Sequence, residues 1–506
     1  MTIRFNRLAP LGFAAALINP APAQTNSCEG LASLTLPHAS ITLARSVPAG
    51  PFEQAGRGNR GAAELNLPAY CRVAASLKPS SDSEIKMEIW LPISGWNGNL
   101  EANGNGGWTG SINPAALANG LHRGYAAAMS DLGHEGSSAD FALGHPEKLV
   151  DFGYRASHEM TVAAKAITAK FYGRAAKLSY WNGCSAGGRS ALIEAQRYPA
   201  DYDGIVAGSP GLNWTGRATQ AVWIAQATHK DEASFLPPGK FILIHNAVLQ
   251  ACDTRDGVKD GVLEDPTRCN FDPKELECKD ADGPFCLTHA QVETARAIYA
   301  AYPNQSNKQQ IFPGFERGSE LGWNTMGGKN PFVLGTDLFK FVVFQDPNWD
   351  YKTFNWDTDV ARTERADRGL MNALNPDLKA FAAHGGKMIQ YHGWADPQIA
   401  PGSSVNYYKS VLETMGGSAQ VQSFYRLFMV PGMAHCGGGE GTSSFDMLAA
   451  LQGWVEKGQT PDQIPASRLR DGKVDRTRPL CPFPQVAQYK GAGSTDDAAN
   501  FVCKAQ

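Results

Sequence analysis

Apolar and polar positions alternate between strand-like and helix-like patterns in the first half of the chain, from about Cys71 to Ala207. Helical spacing of apolar residues predicts helices over Tyr154–Phe171 and Ser190–Gln196. Short apolar runs predict strands at Ile85–Leu91, Leu100–Ala102, Tyr125–Met129, Leu178–Trp181 and Gly204–Ala207. Strands that alternate with helices indicate an α/β fold.

The alternation stops after Pro210 and returns with predicted strands at Lys387–His392 and Phe424–Val430. The intervening residues are rich in aromatics, Asp, Asn and Cys, and we interpret them as an inserted lid. A chain of 506 residues is too long for one compact core, which favours such an insertion or two domains. We therefore predict a core built from residues 24–211 and 376–506, interrupted by a lid at 212–375.

The N-terminus has the three-part pattern of a secretory signal peptide. Arg4 and Arg7 are followed by the mostly apolar stretch Leu8–Ile18 and by the small-x-small sequence Ala21-Pro22-Ala23. The apolar stretch is too short to span a bilayer. We predict a signal at residues 1–23 and a secreted or periplasmic protein, the alternative being a frayed apolar terminus.

Charge and cysteine content narrow the function classes. The formal net charge is −3, which favours neither nucleic acid nor an anionic membrane as a partner. Ten cysteines in an exported chain suggest five disulfides, although sequence alone does not fix the connectivity. A zinc site is the weaker alternative, because the chain contains no Cys-x-x-Cys pair. Local closure favours the pairs Cys28–Cys71, Cys252–Cys269, Cys278–Cys286 and Cys481–Cys503, leaving Cys184 and Cys436.

Ser185 lies in a Gly-x-Ser-x-Gly sequence between a predicted strand and a predicted helix. This is the context of a nucleophile elbow, in which a sharp turn exposes the serine hydroxyl. An α/β-hydrolase places its triad in the chain order Ser, Asp, His, which gives Ser185, Asp396 and His435. Asp396 could instead only cap a turn, and His435 could be a loop histidine. His392 is a competing base, which we interpret as a pocket residue.

Two backbone N–H groups are needed to stabilise the oxyanion of such a reaction. One should belong to Ala186, the residue after the nucleophile, and the other to the glycine loop after an earlier strand, where we favour Gly106. This loop lacks the Gly-x-Gly-x-x-Gly spacing and the Lys-Ser/Thr ending of phosphate-binding loops, so nucleotide binding is not expected.

A short acidic loop in the predicted lid suggests a calcium site. Three aspartates with interleaved glycines repel one another unless a cation neutralises them, and Ca²⁺ prefers oxygen ligands. We predict side-chain ligands from Asp253, Asp256 and Asp260 and carbonyl ligands from Val258 and Val262. The spacing is not that of an EF-hand, and the alternative is an acidic solvated turn.

Taken together, these motifs resemble the tannase and feruloyl esterase family, which also contains the bacterial hydrolase of mono(2-hydroxyethyl) terephthalate. The resemblance implies an α/β-hydrolase with a large lid, a structural calcium ion in the lid, and a disulfide between the cysteines beside the catalytic Ser and His. The matching sequences are Gly183–Arg189, Tyr198–Ile205, Ala207–Pro210, the aspartate loop, His392–Asp396 and His435-Cys436.

The resemblance also implies an ester substrate whose aromatic acid lies between lid and core. Trp323, Lys340, Phe344 and Trp349 are the lid candidates for contact with it, and Ile399 lies just beyond Asp396. Each lid aromatic could equally pack the lid core. Terephthalate-type members use a lid arginine and a phenylalanine where this chain has Lys340 and Ile399, which argues against terephthalate monoester hydrolysis.

The main hypothesis is a secreted serine esterase that cleaves esters of hydroxylated aromatic acids through an acyl-enzyme, with a small aromatic ester as its partner. Galloyl ester hydrolysis, as in a tannase, and terephthalate monoester hydrolysis are the alternatives among enzymes. A binding protein that uses a silent hydrolase scaffold is the alternative from another class. The sequence does not indicate an oligomeric state.

Overall fold

The computed structural model describes residues 1, 27–53, 64–303 and 310–505. The predicted signal peptide therefore lies outside the described residues, apart from Met1. The strands of the described ranges are β1 (Ala39–Val47), β2 (Gly50–Glu53), β3 (Glu64–Leu67), β4 (Tyr70–Leu77), β5 (Ile85–Pro92), β6 (Leu100–Asn103), β7 (Ala126–Ser130), β8 (Ser179–Cys184), β9 (Gly204–Gly208), β10 (Tyr302–Pro303), β11 (Gln310–Phe312), β12 (Lys387–Gly393), β13 (Tyr425–Val430), β14 (Ile464–Arg470), β15 (Lys473–Leu480), β16 (Gln485–Tyr489) and β17 (Phe501–Ala505).

Helices connect most of the strands. The α-helices are α1 (Pro114–His122), α2 (Pro146–Val150), α3 (Ala156–Tyr172), α4 (Ala186–Arg197), α5 (Trp214–Thr228), α6 (Pro238–Cys252), α7 (His289–Tyr299), α8 (Asn324–Gly327), α9 (Val333–Asp337), α10 (Asp359–Asp367), α11 (Lys379–His384), α12 (Gly402–Thr414), α13 (Ser418–Gln422) and α14 (Met447–Lys457). Two π-helical segments, Asp151–Arg155 and Leu338–Val343, adjoin α3 and α9. Short 3-10 turns lie at Glu29–Ser33, Ala139–Ala142, Glu232–Ser234, Asp253–Asp256, Pro266–Arg268, Pro273–Leu276, Glu320–Gly322, Tyr351–Thr353 and Ala498–Asn500.

Nine of the described strands form one central sheet in the order β1-β4-β5-β7-β6-β8-β9-β12-β13. The six strands from β7 to β13 are parallel, whereas β1, β4 and β5 pair antiparallel at one edge. Every residue of β6, β7 and β9 is buried, because helices cover both faces of the sheet. This explains why these strands appear as short unbroken apolar runs, and it confirms the predicted α/β class.

The predicted helix Ser190–Gln196 is longer in the structure than in the prediction. The helix α4 begins at Ala186, directly after Ser185. Gly187 and Gly188 have low helix propensity, so the pattern gave no sign of the first turn. Both glycines are buried, which means that packing against the neighbouring backbone stabilises this turn.

The insertion between β9 and β12 has its own apolar cluster and also contributes to the main core. Val248, Ile298 and Trp323 are members of the insertion's cluster. Leu338 and Phe339, by contrast, pack into the main cluster beneath the sheet. Trp214 and Val222 at the start of the insertion belong to the main cluster as well, so the insertion is anchored on the core through both of its ends. The predicted limits 212–375 stay a prediction.

The last strands do not extend the central sheet, although we predicted residues 376–506 as the second part of the core. The strands β14 and β15 form one hairpin, and β16 and β17 form another. These hairpins contact the aspartate loop of the insertion, where Arg478 pairs with Asp260 at 2.5 Å. The C-terminal segment therefore supports the lid as well as the core.

Five disulfides are present in the described part of the chain, and they are the pairs favoured by local closure together with Cys184–Cys436. Disulfides in this number are typical of proteins that fold in an oxidising compartment outside the cytosol. None of the helices in the described ranges has the length and apolarity required to cross a bilayer.

Candidate active site

Ser185 occupies a strained turn between β8 and α4. Its backbone has φ 64° and ψ −119°, a combination that non-glycine residues rarely adopt. The turn is fixed by backbone hydrogen bonds, because the Ser185 N–H donates to the Gly208 carbonyl at 2.9 Å and the Ser185 carbonyl accepts from Gly211 at 3.1 Å. This is the strand–turn–helix geometry that presents a nucleophilic serine.

Glycines allow the backbone around Ser185 to approach its neighbours closely. A Cβ on Gly104 would lie 2.4 Å from the Gly187 Cα, and a Cβ on Gly188 would lie 2.3 Å from the Gly208 carbonyl oxygen. Side chains at these positions would push the first turn of α4 away from β9 and from the loop after β6. The small residues of the motif are therefore required by packing.

Asp396 and His435 form a hydrogen-bonded pair at the carboxyl end of the sheet. Asp396 follows β12, His435 follows β13, and His435 Nδ1 lies 2.7 Å from Asp396 Oδ2. The other carboxylate oxygen accepts the backbone N–H groups of Gln398 at 2.8 Å and Ile399 at 3.0 Å. With Nδ1 bound to the carboxylate, the Nε2 of His435 is left for proton exchange.

Asp396 is fully buried and ionised. Burial alone would raise its pKa, but the charge of His435 and the hydrogen bonds from His392 and His435 outweigh it and hold the pKa well below its usual range. The carboxylate can therefore fix the tautomer of His435 and stabilise its protonated form.

A disulfide joins the residues next to Ser185 and His435. The bond Cys184–Cys436, called the site disulfide below, links positions 252 residues apart with a Cα–Cα distance of 6.1 Å. Cys184 is the last residue of β8 and Cys436 follows His435 in the loop after β13. The site disulfide therefore holds the His435 loop beside the turn that carries Ser185.

His392, the competing base, is completely buried behind the acid. Its Nε2 lies 3.1 Å from both Asp396 Oδ2 and the Ile399 carbonyl oxygen, and its Nδ1 lies 2.7 Å from Ser404 Oγ. Because both partners of Nε2 are acceptors, Nε2 carries a proton and donates it. His392 thus orients Asp396 and the loop containing Ile399.

The glycine loop after β6 lies directly beside the start of α4. The Gly187 N–H donates to the Asn105 carbonyl at 2.7 Å, which places Gly106 next to the turn that contains Ala186. The Asn105 side chain donates to the carbonyls of Ser111 at 2.8 Å and Ser130 at 3.2 Å. These bonds hold the loop beside the turn of Ser185, and Asn105 was not identified from the sequence. The role of Gly106 as a second oxyanion donor stays a prediction.

The aspartate loop borders a small cavity of about 20 Å³. Asp256, Val258, Asp260 and Val262 line it, together with Glu264, which sequence reasoning missed. Asp253 lies apart from this lining, and its carboxylate accepts the N–H groups of Asp260 at 3.2 Å and Gly261 at 3.1 Å. Asp256, Asp260 and Glu264 could supply oxygen ligands to a single hard cation here, although Arg476 and Arg478 line the same cavity.

Two arginines already neutralise part of this loop. Asp260 Oδ2 lies 3.2 Å from Arg476 and 2.5 Å from Arg478, both on β15. Burial raises the pKa of Glu264 to about 8. The oxygen donors of the loop therefore fit a cation, but without one the two arginines and the raised pKa of Glu264 already reduce the negative charge of the loop.

The predicted substrate contacts fall in different surroundings. Ile399 is buried, and its Cδ1 lies 3.7 Å from the position of a Cβ on Gly211, close to the nucleophile turn. Trp323 is buried in the insertion against Tyr299, with ring centroids 4.7 Å apart.

Phe344 stacks on Trp349 with centroids 5.1 Å apart. Lys340 is half-buried on the π-helical segment Leu338–Val343. Contact of any of these predicted residues with substrate remains a prediction.

Comparison with known proteins identifies the family. Residues 71–504 match the family described as tannase and feruloyl esterase. An uncharacterized esterase of Xanthomonas campestris pv. campestris is 38% identical, with 99% of this chain and 95% of the relative covered. Probable feruloyl esterase B-1 of Aspergillus fumigatus is 33% identical, with 88% of each chain covered. The crystal structure of feruloyl esterase B from Aspergillus oryzae superposes with a TM-score of 0.88 at 32% identity, covering 94% of this chain and 99% of that one. The chain therefore belongs to the tannase and feruloyl esterase family of carboxylic ester hydrolases.

Proposed function

We propose that this protein is an exported serine esterase that hydrolyses esters of hydroxylated aromatic acids, of the feruloyl type, through an acyl-enzyme. The observation that carries the proposal is the Asp396–His435 pair, joined at 2.7 Å and tethered to the Ser185 turn by the site disulfide. The substrate class rests on relatives that are named feruloyl esterases at about one-third identity.

The proposed chemistry proceeds in two half-reactions. Ser185 Oγ attacks the ester carbonyl while His435 Nε2 accepts the hydroxyl proton, and the N–H groups of Ala186 and Gly106 stabilise the oxyanion. The C–O bond to the alcohol then breaks, and His435 donates its proton to the leaving oxygen. A water molecule repeats the sequence on the acyl-enzyme, which releases the acid and restores Ser185.

We place the aromatic acid between the insertion and the core, with Ile399 on the core side. Phe344 and Lys340 remain the candidates from the insertion for contact with the aromatic acid. Trp323 is a third candidate, although its packing in the insertion is an alternative role for it. His392 would act on the substrate through the Ile399 carbonyl, which it holds at 3.1 Å. Each of these assignments depends on the substrate class and not on the triad.

We also propose that the aspartate loop binds one structural Ca²⁺. Asp253, Asp256 and Asp260 would supply carboxylates, and Val258 and Val262 would supply carbonyls. The cavity of about 20 Å³ lined by Asp256, Val258, Asp260, Val262 and Glu264 supports this assignment, whereas Asp253 lies apart from that lining. When bound, the ion would neutralise the loop and connect it to the C-terminal hairpins, and no step of ester cleavage would depend on it.

Export from the cytosol completes the proposal. A signal at residues 1–23 would direct the chain to the periplasm or the medium, and five disulfides support an oxidising destination. The insertion at 212–375 would act as the lid of the esterase.

A panel of methyl ferulate, methyl gallate and a terephthalate monoester tests the proposal. The highest kcat/KM is expected for methyl ferulate, and a preference for gallate or terephthalate would select one of the alternatives. Ser185→Ala should abolish turnover and keep the melting temperature, while Ser410→Ala on α12 serves as a matched control with full activity. Substantial hydrolysis by Ser185→Ala would refute the serine mechanism, and binding without turnover in the wild type would support a silent scaffold.

A further inference from the structure

Arg217 is an isolated charge in an otherwise uncharged part of the sequence. Between residues 204 and 229 it is the only Lys, Arg, Asp or Glu, and it lies on the first turn of α5. Its residue exposure is 3%, so the guanidinium is almost completely removed from water. A buried arginine requires partners that replace the lost hydration.

Arg189, a second buried arginine nearby, has partners for both of its terminal nitrogens, although its Nε has none. Its terminal nitrogens donate to the carbonyls of Gly153 at 2.8 Å, Met371 at 3.2 Å and Phe152 at 2.9 Å. The role of Arg189 is therefore to hold backbone segments together.

Arg217 has the opposite pattern. Its Nε donates to the Gln398 carbonyl at 3.1 Å, and its guanidinium lies between the rings of Trp214 and Phe332, 5.6 Å and 5.0 Å from their centroids. Among the described residues, no carbonyl or carboxylate pairs with its terminal nitrogens. The two rings fix the plane of the guanidinium and leave its outer N–H groups unused.

A chain of contacts leads from the nucleophile turn to Arg217. Gly211 donates to the Ser185 carbonyl at 3.1 Å, and a Cβ on Gly211 would lie 3.3 Å from the Trp214 ring and 3.7 Å from the Ile399 side chain. Trp214 in turn lies against the Arg217 guanidinium. Two residues, Gly211 and Trp214, therefore separate Arg217 from the backbone of the nucleophile.

A second chain of contacts returns from Arg217 to the glycine loop. Phe332, on the other side of the guanidinium, precedes Leu334, whose carbonyl accepts the Trp108 Nε1–H at 2.9 Å. A Cβ on Gly107 would lie 3.2 Å from the Leu334 side chain. Both chains of contacts meet at Arg217, which is thus the charged residue shared by the surroundings of the Ser185 turn and of the glycine loop.

We propose that Arg217 binds an oxygen acceptor on the aromatic ring of the acid and thereby selects substrates that carry one. The inference rests on the proposed hydrolysis of aromatic esters and adds the group that recognises the acid. A planar guanidinium with free outer N–H groups matches a ring hydroxyl and, in bidentate fashion, a ring carboxylate. Burial lowers the pKa of Arg217 to about 10, so the group stays cationic at neutral pH.

Paired substrates separate recognition from general activity. The first pair is methyl 4-hydroxycinnamate against methyl cinnamate, and the second is monomethyl terephthalate against methyl benzoate. Each ratio of kcat/KM is measured on one enzyme preparation, so the fraction of folded protein cancels. The variants are Arg217→Met, which keeps length without charge, and Arg217→Lys, which keeps charge without the planar donors.

Arg317→Met provides the matched control. Arg317 also packs on an aromatic ring, that of Tyr299 at 4.3 Å, but its guanidinium donates to the Phe271 carbonyl at 3.1 Å. We expect the wild type to favour at least one acceptor-bearing ester and Arg217→Met to reduce that ratio about 10- to 100-fold. The pair that changes identifies the hydroxyl or the carboxylate as the acceptor. Arg317→Met should leave both ratios unchanged.

Three results would overturn the inference. The first is equal wild-type kcat/KM for the two esters of both pairs. The second is an Arg217→Met variant whose kcat/KM ratios equal those of the wild type. The third is an equal loss of kcat/KM on all four esters, which would mean that Arg217 only positions the Gln398 loop. If Arg217→Met does not fold, Arg217→Lys gives the same comparison, with a smaller expected loss for the hydroxyl than for the bidentate carboxylate. A wild type that cleaves no aromatic ester would instead refute the proposed function.

Discussion

Removal of the site disulfide should reduce both stability and turnover, because this bond spans a long chain segment and touches both catalytic loops. Loop-closure entropy for a separation of 252 residues corresponds to ~5 kcal/mol, against ~2.5 kcal/mol for the 8-residue separation of Cys278–Cys286. The double variant Cys184→Ser/Cys436→Ser is therefore expected to lose roughly twice the unfolding free energy lost by Cys278→Ser/Cys286→Ser.

The effect on catalysis separates the two bonds more sharply. A displacement of about 1 Å between Ser185 and His435 is expected to reduce kcat ~100-fold, because proton transfer depends on their alignment. Denaturant unfolding gives the stability difference, and steady-state kinetics on methyl ferulate at a temperature where both variants stay folded gives kcat. The Cys278/Cys286 variant should keep wild-type kcat. An unchanged kcat in the Cys184/Cys436 variant would refute the idea that the bond aligns the site.

Three further changes have defined outcomes. Asp396→Asn should reduce kcat about a thousandfold or more, since the tautomer of His435 is no longer fixed. The folded-state pKa of Asp396 is lowered, so the ionised carboxylate stabilises the wild type at neutral pH. Denaturant unfolding should show that this advantage over Asp396→Asn persists down to about pH 4 and disappears only below it. Chelation should lower the melting temperature without an equal loss of kcat. The free energy of unfolding should fall by about 2.7 kcal/mol if free calcium had been 100-fold above its Kd, and a chelator-insensitive protein without bound calcium would exclude the site. Trp323→Ala should cost about 3–5 kcal/mol of stability and leave the preference between methyl ferulate and methyl gallate unchanged, whereas an altered preference would make Trp323 a substrate contact.

The sequence predicted the parts of the fold that depend on local pattern. The strands β5, β6, β7, β8, β9, β12 and β13 all lie within a few residues of the predicted apolar runs. Strands that are buried on both faces form nearly unbroken runs of apolar residues, which are easy to recognise in a sequence. The antiparallel edge strand β1 alternates between half-buried and exposed residues, and it was not predicted.

Interactions between distant segments were beyond the reach of the pattern. The C-terminal hairpins depend on long-range ion pairs such as Arg478–Asp260, which join residues 218 positions apart. The role of Asn105 depends on carbonyls that only the folded loop brings together. Arg217 did have a sequence signal, since a lone charge in an otherwise uncharged segment is rarely buried without a partner, but the pattern could not identify the Gln398 carbonyl or the rings of Trp214 and Phe332 as its neighbours.

The backbone is strained near both ends of the site disulfide, at Ser185 next to Cys184 and at Cys436 itself, which explains why the site needs several constraints. Ser185 has φ 64° and Cys436, next to His435, has φ 62°. Such conformations cost about 1–3 kcal/mol each and persist only where the surroundings enforce them.

Close glycine packing fixes the turn of Ser185, and the four donors around Asp396 fix the acid. The site disulfide joins Cys436 to Cys184, the residue before Ser185. Because these constraints all serve the same alignment of Ser185 and His435, we expect losses from single substitutions to be far from additive. Combining the disulfide variant with Asp396→Asn should therefore reduce kcat by less than the product of the two separate effects, and a fully multiplicative loss would show that the constraints act independently.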